Sequence, residues 1–418
     1  MSAMDNLREL GVRGVRKLSR FFSTDMMYVV KSGFWMNANF VFVSFFGLLS
    51  SVLFARLVSK DVYGTYQFVL SLASLIAVFA PNNISTAVVR SVALGNEGDL
   101  VKATRFQVRW GIIASLIAFA IGLWYLFHGN SKLSIAVMLI AAFVPTTFAL
   151  NTWIAYLQGK KDYKRYFLYN AVSTIICYGG VISMLYFKRD FLWIAFGNIF
   201  FAFIANLILY FLTKKKLDPG NKTDPETIPY GTRLSIIGIP AGLVGQLDAL
   251  LLFHYLGAPA LAIYSFATFI PEKIAGGLKF IPIIAFPKFS EKNEEEVRSF
   301  FHKKIWWLLL FLGLMAGLYA AIAPFAFKLL FPAYTGAIAF TQVYALSFFA
   351  IAAGVMQTAL TSQKKTKELY SLTLTTPFVK ATLLIVLMFA FGVWGVIWAQ
   401  ILTIIFQILF PIYQFSRK

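Results

Sequence analysis

Apolar residues run along this chain in long blocks, separated by short polar stretches rich in lysine and arginine. A helix needs about 20 predominantly apolar residues to cross the hydrocarbon core of a bilayer. Against that length the blocks predict about twelve spans. They cover residues 34–55, 66–89, 110–127, 133–157, 167–187, 191–212, 234–255, 260–286, 305–327, 337–360, 370–391 and 393–410. Helices are the predicted element throughout. A lipid-facing sheet would alternate in segments of about ten residues to close a barrel, and these continuous runs do not.

The longest polar stretch, 213–231, carries Lys214-Lys215-Lys216, Pro219-Gly220 and Pro225. It divides the chain into a first lobe over 34–212 and a second over 234–413, with 213–233 as linker and 414–418 as tail. The expected fold class is therefore an all-α polytopic membrane protein with two six-helix lobes. Residues 1–33 are basic, and the pattern around Leu7, Leu10, Val15 and Leu18 reads as an amphipathic helix on the inner leaflet or as a cationic tail. The halves echo each other: Leu53-Phe54 precedes Tyr66-Gln67-Phe68 much as Leu252-Phe253 precedes Tyr264-Ser265-Phe266. Two six-span halves enter the membrane the same way, so their axis would run along its normal.

Each half also carries a broken span. Pro81-Asn82-Asn83 interrupts the second, and Pro271, Gly276-Gly277 and Pro282 punctuate the eighth. Proline removes a backbone donor. The carbonyls it frees at membrane depth must be buried in protein or face a wet cavity. Matching interruptions in both halves point to a transport route; packing kinks are the alternative.

Composition agrees with the pattern. The 418 residues are 59% apolar and 13% charged, against about 45–50% and about 25% in soluble domains. That much apolar surface cannot be hidden in one water-soluble core. A soluble enzyme, a nucleic-acid-binding domain and a secreted disulfide scaffold are excluded, and no nucleic-acid partner is expected. The net charge of +20 comes from 38 Lys and Arg. Of these, 29 fall on one side of the predicted spans, six on the other and three inside. Cytoplasmic loops carry the excess of cations, so both termini are expected in the cytoplasm and the protein in the inner (cytoplasmic) membrane. The lone Cys177 allows no intrachain disulfide, and the three histidines have no metal-ligand spacing. No Gly-rich phosphate loop is present, and no cofactor is expected.

Five charges lie inside spans: Asp248 in the seventh, Glu272, Lys273 and Lys279 in the eighth, and Lys380 in the eleventh, just after Pro377. A charge at bilayer depth costs at least about 2.5–3.5 kcal/mol on insertion scales and needs a partner or water. One reading pairs Asp248 and Glu272 with Lys279 and Lys380 as struts. The other is a cavity with a surplus of lysine, suited to an anionic headgroup, in which Asp248 or Glu272 could take up a coupling proton. Arg56 and Arg90 at span ends could extend such a cavity or snorkel to the interface. Asn82 and Asn83, with Asn37, Asn39, Gln67 and Gln246, could contact sugars or join helices. The candidate substrate-binding set is Lys273, Lys279, Lys380, Arg56, Asn82 and Asn83; the candidate ion-coupling pair is Asp248 and Glu272.

The segment from Phe54 through Arg56, Lys60, Tyr63 and Gly64 to Tyr66 resembles the end of the first helix of bacterial polysaccharide (O-antigen type) flippases. These belong to the multidrug/oligosaccharidyl-lipid/polysaccharide exporter superfamily. Tyr230-Gly231, Asp248, Gly257, Tyr264-Ser265-Phe266 and Phe286-Pro287-Lys288-Phe289-Ser290 resemble that family's second half, and Leu330-Phe331-Pro332-Ala333-Tyr334 its loop before the tenth helix. The resemblance implies a V-shaped two-lobe bundle and a transporter rather than an enzyme. It implies movement of a polyprenyl-diphosphate-linked oligosaccharide by alternating access, with that lipid, membrane lipids and other polysaccharide-assembly proteins as expected partners. A cation-coupled drug exporter of the same superfamily would favour an acidic cavity. A glycan polymerase or ligase would need a sizeable outer loop, and a non-transporting scaffold is the remaining alternative.

Overall fold

The computed structural model describes residues 26–217, 222–293, 295–297, 299 and 305–416. Most of the basic segment anticipated over 1–33 lies outside them. The first half comprises α1 (Met26–Leu57), α2 (Lys60–Ala77), α3 (Ile84–Ala93), α4 (Asp99–Phe127), α5 (Ser131–Leu150), α6 (Thr152–Gly159), α7 (Tyr163–Phe187) and α8 (Phe191–Lys214). The second comprises α9 (Thr227–Gly245), α10 (Leu247–Leu251), a π turn (Leu252–Leu256), α11 (Ala258–Leu278), α12 (Phe280–Ser290), α13 (Ile305–Leu330), α14 (Ile338–Tyr344), α15 (Ala350–Ser362), α16 (Thr366–Phe391) and α17 (Val393–Ser416). Two 3-10 turns, Pro332–Ala337 and Ala345–Phe349, flank α14.

Ten helical segments among the described residues are long and apolar enough to cross a membrane. Many large apolar side chains, such as Leu116, Leu314, Leu318 and Phe325, point outward. A surface of that kind is stable against lipid and not against water. The protein is a multi-pass integral membrane protein.

Short loops join these helices because their first polar residues act as caps. Ser59, Asn130, Asp162 and Asp190 each accept a backbone N–H at the start of the helix that follows, meeting donors the first turn leaves free. Gly257 and Gly392 have φ of +83° and +57°, a region glycine enters at no steric cost.

The two predicted spans outside the ten are the broken ones. The second divides into α2 and α3, and two side chains repair the gap. Asn82 Nδ2 donates to Ala77 O at 2.7 Å, and Gln107 Nε2 to Pro81 O at 3.0 Å. The eighth breaks at Lys279 instead of at its prolines. Pro271 is buried within α11, since a helix packed among protein neighbours tolerates the missing donor. The tenth carries 3-10 turns that its apolar pattern did not announce. It is held to α13 by Tyr319 Oη and Thr341 Oγ1 at 2.7 Å and by Gln342 Nε2 donating to Ala320 O at 2.8 Å. The linker is shorter than expected because α9 already begins at Thr227. The Thr227 hydroxyl (2.7 Å), the Asp224 N–H (3.0 Å) and the Ser91 hydroxyl all donate to Oδ2 of fully buried Asp99, pinning the linker to the start of α4.

Within the first half α4 packs on α5, α1 on α7, and α8 on both α5 and α7; within the second, α16 packs on α17 and α15 on α12 and α17. Across the halves, α2 packs on α11 and α3 on α9. A Cβ on Gly64 would lie 1.8 Å from Ala258 O, so only glycine permits the approach of α2 to α11. Around it is an aromatic seam: Phe68 stacks on Phe253 at 3.9 Å, and Phe266 lies 4.7 Å from Tyr63 and 3.9 Å from Tyr334. The seam is at the cation-poor end of the molecule, beside Arg56 and Lys60.

Candidate functional site

Two cavities along α1 and a polar cluster in the second half adjoin α11. The first is an apolar trough of about 700 Å³ between α1, α11 and α13, walled by Phe40, Val41, Phe45, Leu318 and Ile322 among others. Val41, Phe45, Leu318 and Ile322 are also exposed on the outside of the bundle, so the trough opens sideways to where lipid lies. Lys273 is its sole charged wall residue.

The second is a chamber of about 200 Å³ between helices of the first half, closed on one side by Phe269 of α11. Its polar walls are neutral: Ser50, Ser51, Tyr63, Tyr66, Gln67, Tyr178 and Asn198. Gln67 Nε2 donates to Tyr63 Oη at 2.5 Å and Asn198 Nδ2 to Tyr66 Oη at 3.2 Å. Phe269 lines both trough and chamber. Gly47 is the junction: a Cβ there would lie 3.2 Å from Tyr178 Oη and 3.9 Å from Lys273 Cε. Lys273 Nζ sits 5.6 Å from the centre of the Phe269 ring, a cation–π distance. Phe269 and Lys273, one helical turn apart on α11, thus stand between an apolar space and a neutral polar one.

The third is a polar cluster in the second half. The chain breaks after α9 at Gln246, and the short α10 that follows carries Asp248. Its Oδ2 accepts from Tyr264 Oη at 2.6 Å and Gln400 Nε2 at 3.0 Å, and its Oδ1 from the Ala249 N–H at 2.9 Å. Glu272 Oε1 accepts from Tyr344 Oη at 3.3 Å. Lys273 follows Glu272 on α11, and Lys380 lies half-buried on α16. Among the described residues no ion pair within 4.0 Å joins either carboxylate to a lysine. The direct struts that the sequence allowed are absent, and the lysines stay available.

The other candidates sit elsewhere. Lys279 is exposed at the α11–α12 break, and Arg56 is exposed at the end of α1 with its Nη2 donating to Leu329 O at 3.1 Å. Asn82 caps α2. Asn83 bonds α9 through its N–H to Ser235 Oγ (3.1 Å) and its Nδ2 to Leu234 O (3.0 Å). These amides join helices. Arg90 lies over the Tyr230 ring at 5.5 Å. Of the chamber's polar walls the sequence marked Gln67 as a polar contact; Tyr63 and Tyr66 stood out there only within the family-like segment and the repeat, and Tyr178 and Asn198 not at all. Single hydroxyls and amides on apolar helices carry no signal until folding turns them toward one space. Gln400 was missed for the same reason. Among the described residues no group of histidine, cysteine and acidic side chains is arranged to hold a metal ion.

A comparison of solved structures finds the fold in several transporters. The chain is similar to the lipid II flippase MurJ in an inward closed conformation (TM-score 0.65, 14% identity, 91% of this chain and 87% of that one). It is similar to an inward-facing multidrug resistance MATE family transporter of the MOP superfamily (0.63, 15%, 90% and 94%). It is also similar to a MOP superfamily transporter from Pyrococcus furiosus described by the reverse polarity of its binding pocket (0.59, 12%, 93% and 95%). At these identities the likeness is one of fold. No match was found among curated proteins. The family model for polysaccharide biosynthesis proteins matches residues 53–331, which include the motifs from Phe54 through Phe331. The chain belongs to the polysaccharide biosynthesis protein family.

Proposed function

We propose that this protein is a flippase that moves a polyprenyl-diphosphate-linked oligosaccharide across the cytoplasmic membrane by alternating access, for the synthesis of a cell-surface polysaccharide such as O-antigen. The observation that carries the reading is the order apolar trough, Lys273, neutral polar chamber. Such a substrate has the same order: hydrocarbon tail, diphosphate, sugar. The tail stays in a trough open to lipid, and the diphosphate meets Lys273, with Lys380 nearby. The first sugars exchange water for the hydroxyls and amides around Tyr66 and Asn198. A diphosphate needs compact cations, and sugar hydroxyls need neutral donors and acceptors.

Counting the broken pairs α2–α3 and α11–α12 as one span each beside the ten gives twelve, and two six-helix lobes over 34–212 and 234–413. The loop cations support an orientation with both termini in the cytoplasm. The aromatic seam and the Arg56–Leu329 bond join the halves at the cation-poor end, which supports a state closed to the outside. The family description and the likeness to a lipid II flippase support the same class of cargo. Arg56 then serves as a latch and Asn82 and Asn83 as helix joints, leaving Lys273 and Lys380 as the principal headgroup cations, with Lys279 at the exposed break.

A second reading, a cation-coupled exporter, is favoured by one observation: Asp248 and Glu272 sit among Tyr264, Tyr344 and Gln400 without a paired lysine. Proteoliposomes separate the two. The flippase reading expects translocation of a labelled lipid-linked oligosaccharide, abolished in K273A/K380A. Full translocation by that variant would overturn the headgroup assignment. Efflux of small cations without lipid translocation would favour the exporter. Loss of any gradient dependence in D248N, with lipid still moved, would make Asp248 the coupling group of the flippase.

A further inference from the structure

At the cation-rich end a separate pocket of about 510 Å³ lies between α4 and the linker. Lys102, Arg105 and Arg109 line it from α4. Their spacing of three and four residues sets them on one helix face. Phe106, Pro225 and Ile228 supply apolar walls. We propose that this pocket binds the phosphate headgroup of an anionic membrane lipid in the cytoplasmic leaflet.

Like charges gathered on one face repel one another unless an anion joins them. Among the described residues none of the three lies within 4.0 Å of a carboxylate. The nearby acids are committed elsewhere: Asp99 Oδ2 accepts three donors inside the fold, Asp224 Oδ1 accepts the Glu226 N–H, and Glu226 is exposed without lining the pocket. Three guanidinium and ammonium groups offer the charge-assisted donors that a phosphate takes up. The apolar walls suit the glycerol and upper acyl chain of a lipid better than a free ion. Depth agrees as well. Trp110, next to Arg109, is exposed, as interfacial aromatics are, and basic pockets between helices on the cytoplasmic side are places where acidic headgroups collect. Lys102 Nζ also donates to Asp224 O at 3.3 Å. A headgroup on Lys102 would therefore touch α4 and the linker into α9 together, and brace the link between the halves. The inference rests on the orientation read from the loop cations and not on the cargo.

Native mass spectrometry of the purified full-length protein tests it. Wild type, K102Q/R105Q/R109Q and the control K164Q/K215Q/K367Q are each mixed with phosphatidylglycerol, with phosphatidylcholine, with polyprenyl phosphate, or with inorganic phosphate. The control removes as much charge from exposed positions at the same end. The pocket variant should retain phosphatidylglycerol at least about tenfold more weakly than wild type and control, with phosphatidylcholine unchanged. R105Q and R109Q alone should each weaken it about fivefold, which covers the case that the triple variant does not fold. The same loss seen with polyprenyl phosphate in place of phosphatidylglycerol would support the site and name the carrier lipid as its occupant. Equal retention of phosphatidylglycerol and polyprenyl phosphate by wild type and pocket variant, equal loss in the control, or uptake of inorganic phosphate alone would overturn the proposal. The readout involves no transport, so it succeeds or fails separately from the flippase reading.

Discussion

Lys273 shows how much one side chain depends on its neighbours. Its stem runs past Gly47 and Phe269, so the ammonium can stand at the join of two spaces without a carboxylate partner. Losing a hydrogen bond to a charged group costs about 1.5–3 kcal/mol, or roughly ten- to hundredfold in affinity. K273A should weaken binding of a polyprenyl diphosphate by that factor at unchanged membrane abundance, and K273R should recover part of it; wild-type binding in K273A would remove the residue from the site. Glu97, outside the spans, makes a pH prediction. Burial works against its charge, but Lys160 and the Tyr156 hydroxyl, at 2.7 Å, hold its carboxyl below the usual value. A carboxyl lowered in the folded state adds stability above its unfolded value, about 4.3, and loses it as pH falls through the folded one. Thermal unfolding of E97Q should start below wild type at neutral pH and converge with it under acid. A gap that persists in acid would mean the effect is packing. Asp190, held low by Lys132 at 2.7 Å against its own burial, should behave alike in D190N.

Among the elements, the α2–α11 contact decides whether the halves can meet. Gly64 sits against Ala258 backbone, which cannot swing aside as a side chain can. G64L should hold the seam apart, so that a cysteine probe introduced at Phe68 reacts with a water-soluble thiol reagent that wild-type packing excludes. Protection of that cysteine in G64L would show that α2 and α11 need not touch. The tether at Asp99 acts at the other end. D99A leaves two hydroxyls and one N–H buried without their acceptor, at about 1–3 kcal/mol each when no water enters. It should lower the unfolding temperature by several degrees and loosen the linker to protease. Between the two contacts runs the chain of α9 and α10, with Pro240 inside α9 and a break at Gln246. An element fixed at one end to the first half and merging at the other into the second is where rocking motion would bend.

For the whole molecule the testable quantity is orientation. With both termini on the cation-rich side, a fluorescent protein fused after Lys418 should fold in the cytoplasm. A cysteine replacing Asn130 should react with impermeant reagents from outside, and one replacing Lys367 should react only after the membrane is opened. The reverse pattern would invert the bundle and exchange the roles assigned to its two ends. The same orientation governs the pocket at Lys102, because a headgroup site there requires the cytoplasmic leaflet.

The apolar blocks alone determined that the chain crosses a membrane as helices, and roughly where each helix runs, because lipid offers no hydrogen bonds and a helix is the one local structure that satisfies its own backbone. The alternation of loop cations determined an expected orientation for a similar reason: charge is costly to carry across. Side-chain partnership was beyond the reach of the sequence. Asn82 and Asn83 could equally have been sugar ligands until Ala77 O and Leu234 O were seen beside them. Glu272 and Lys380 could have been a strut until Tyr344 took the carboxylate. Pro271 was expected to break a helix that its neighbours keep whole, and Tyr178 and Asn198 were anonymous until they faced one chamber. Which groups meet is set by helix rotation and crossing, and these depend on contacts hundreds of positions apart that no local pattern records.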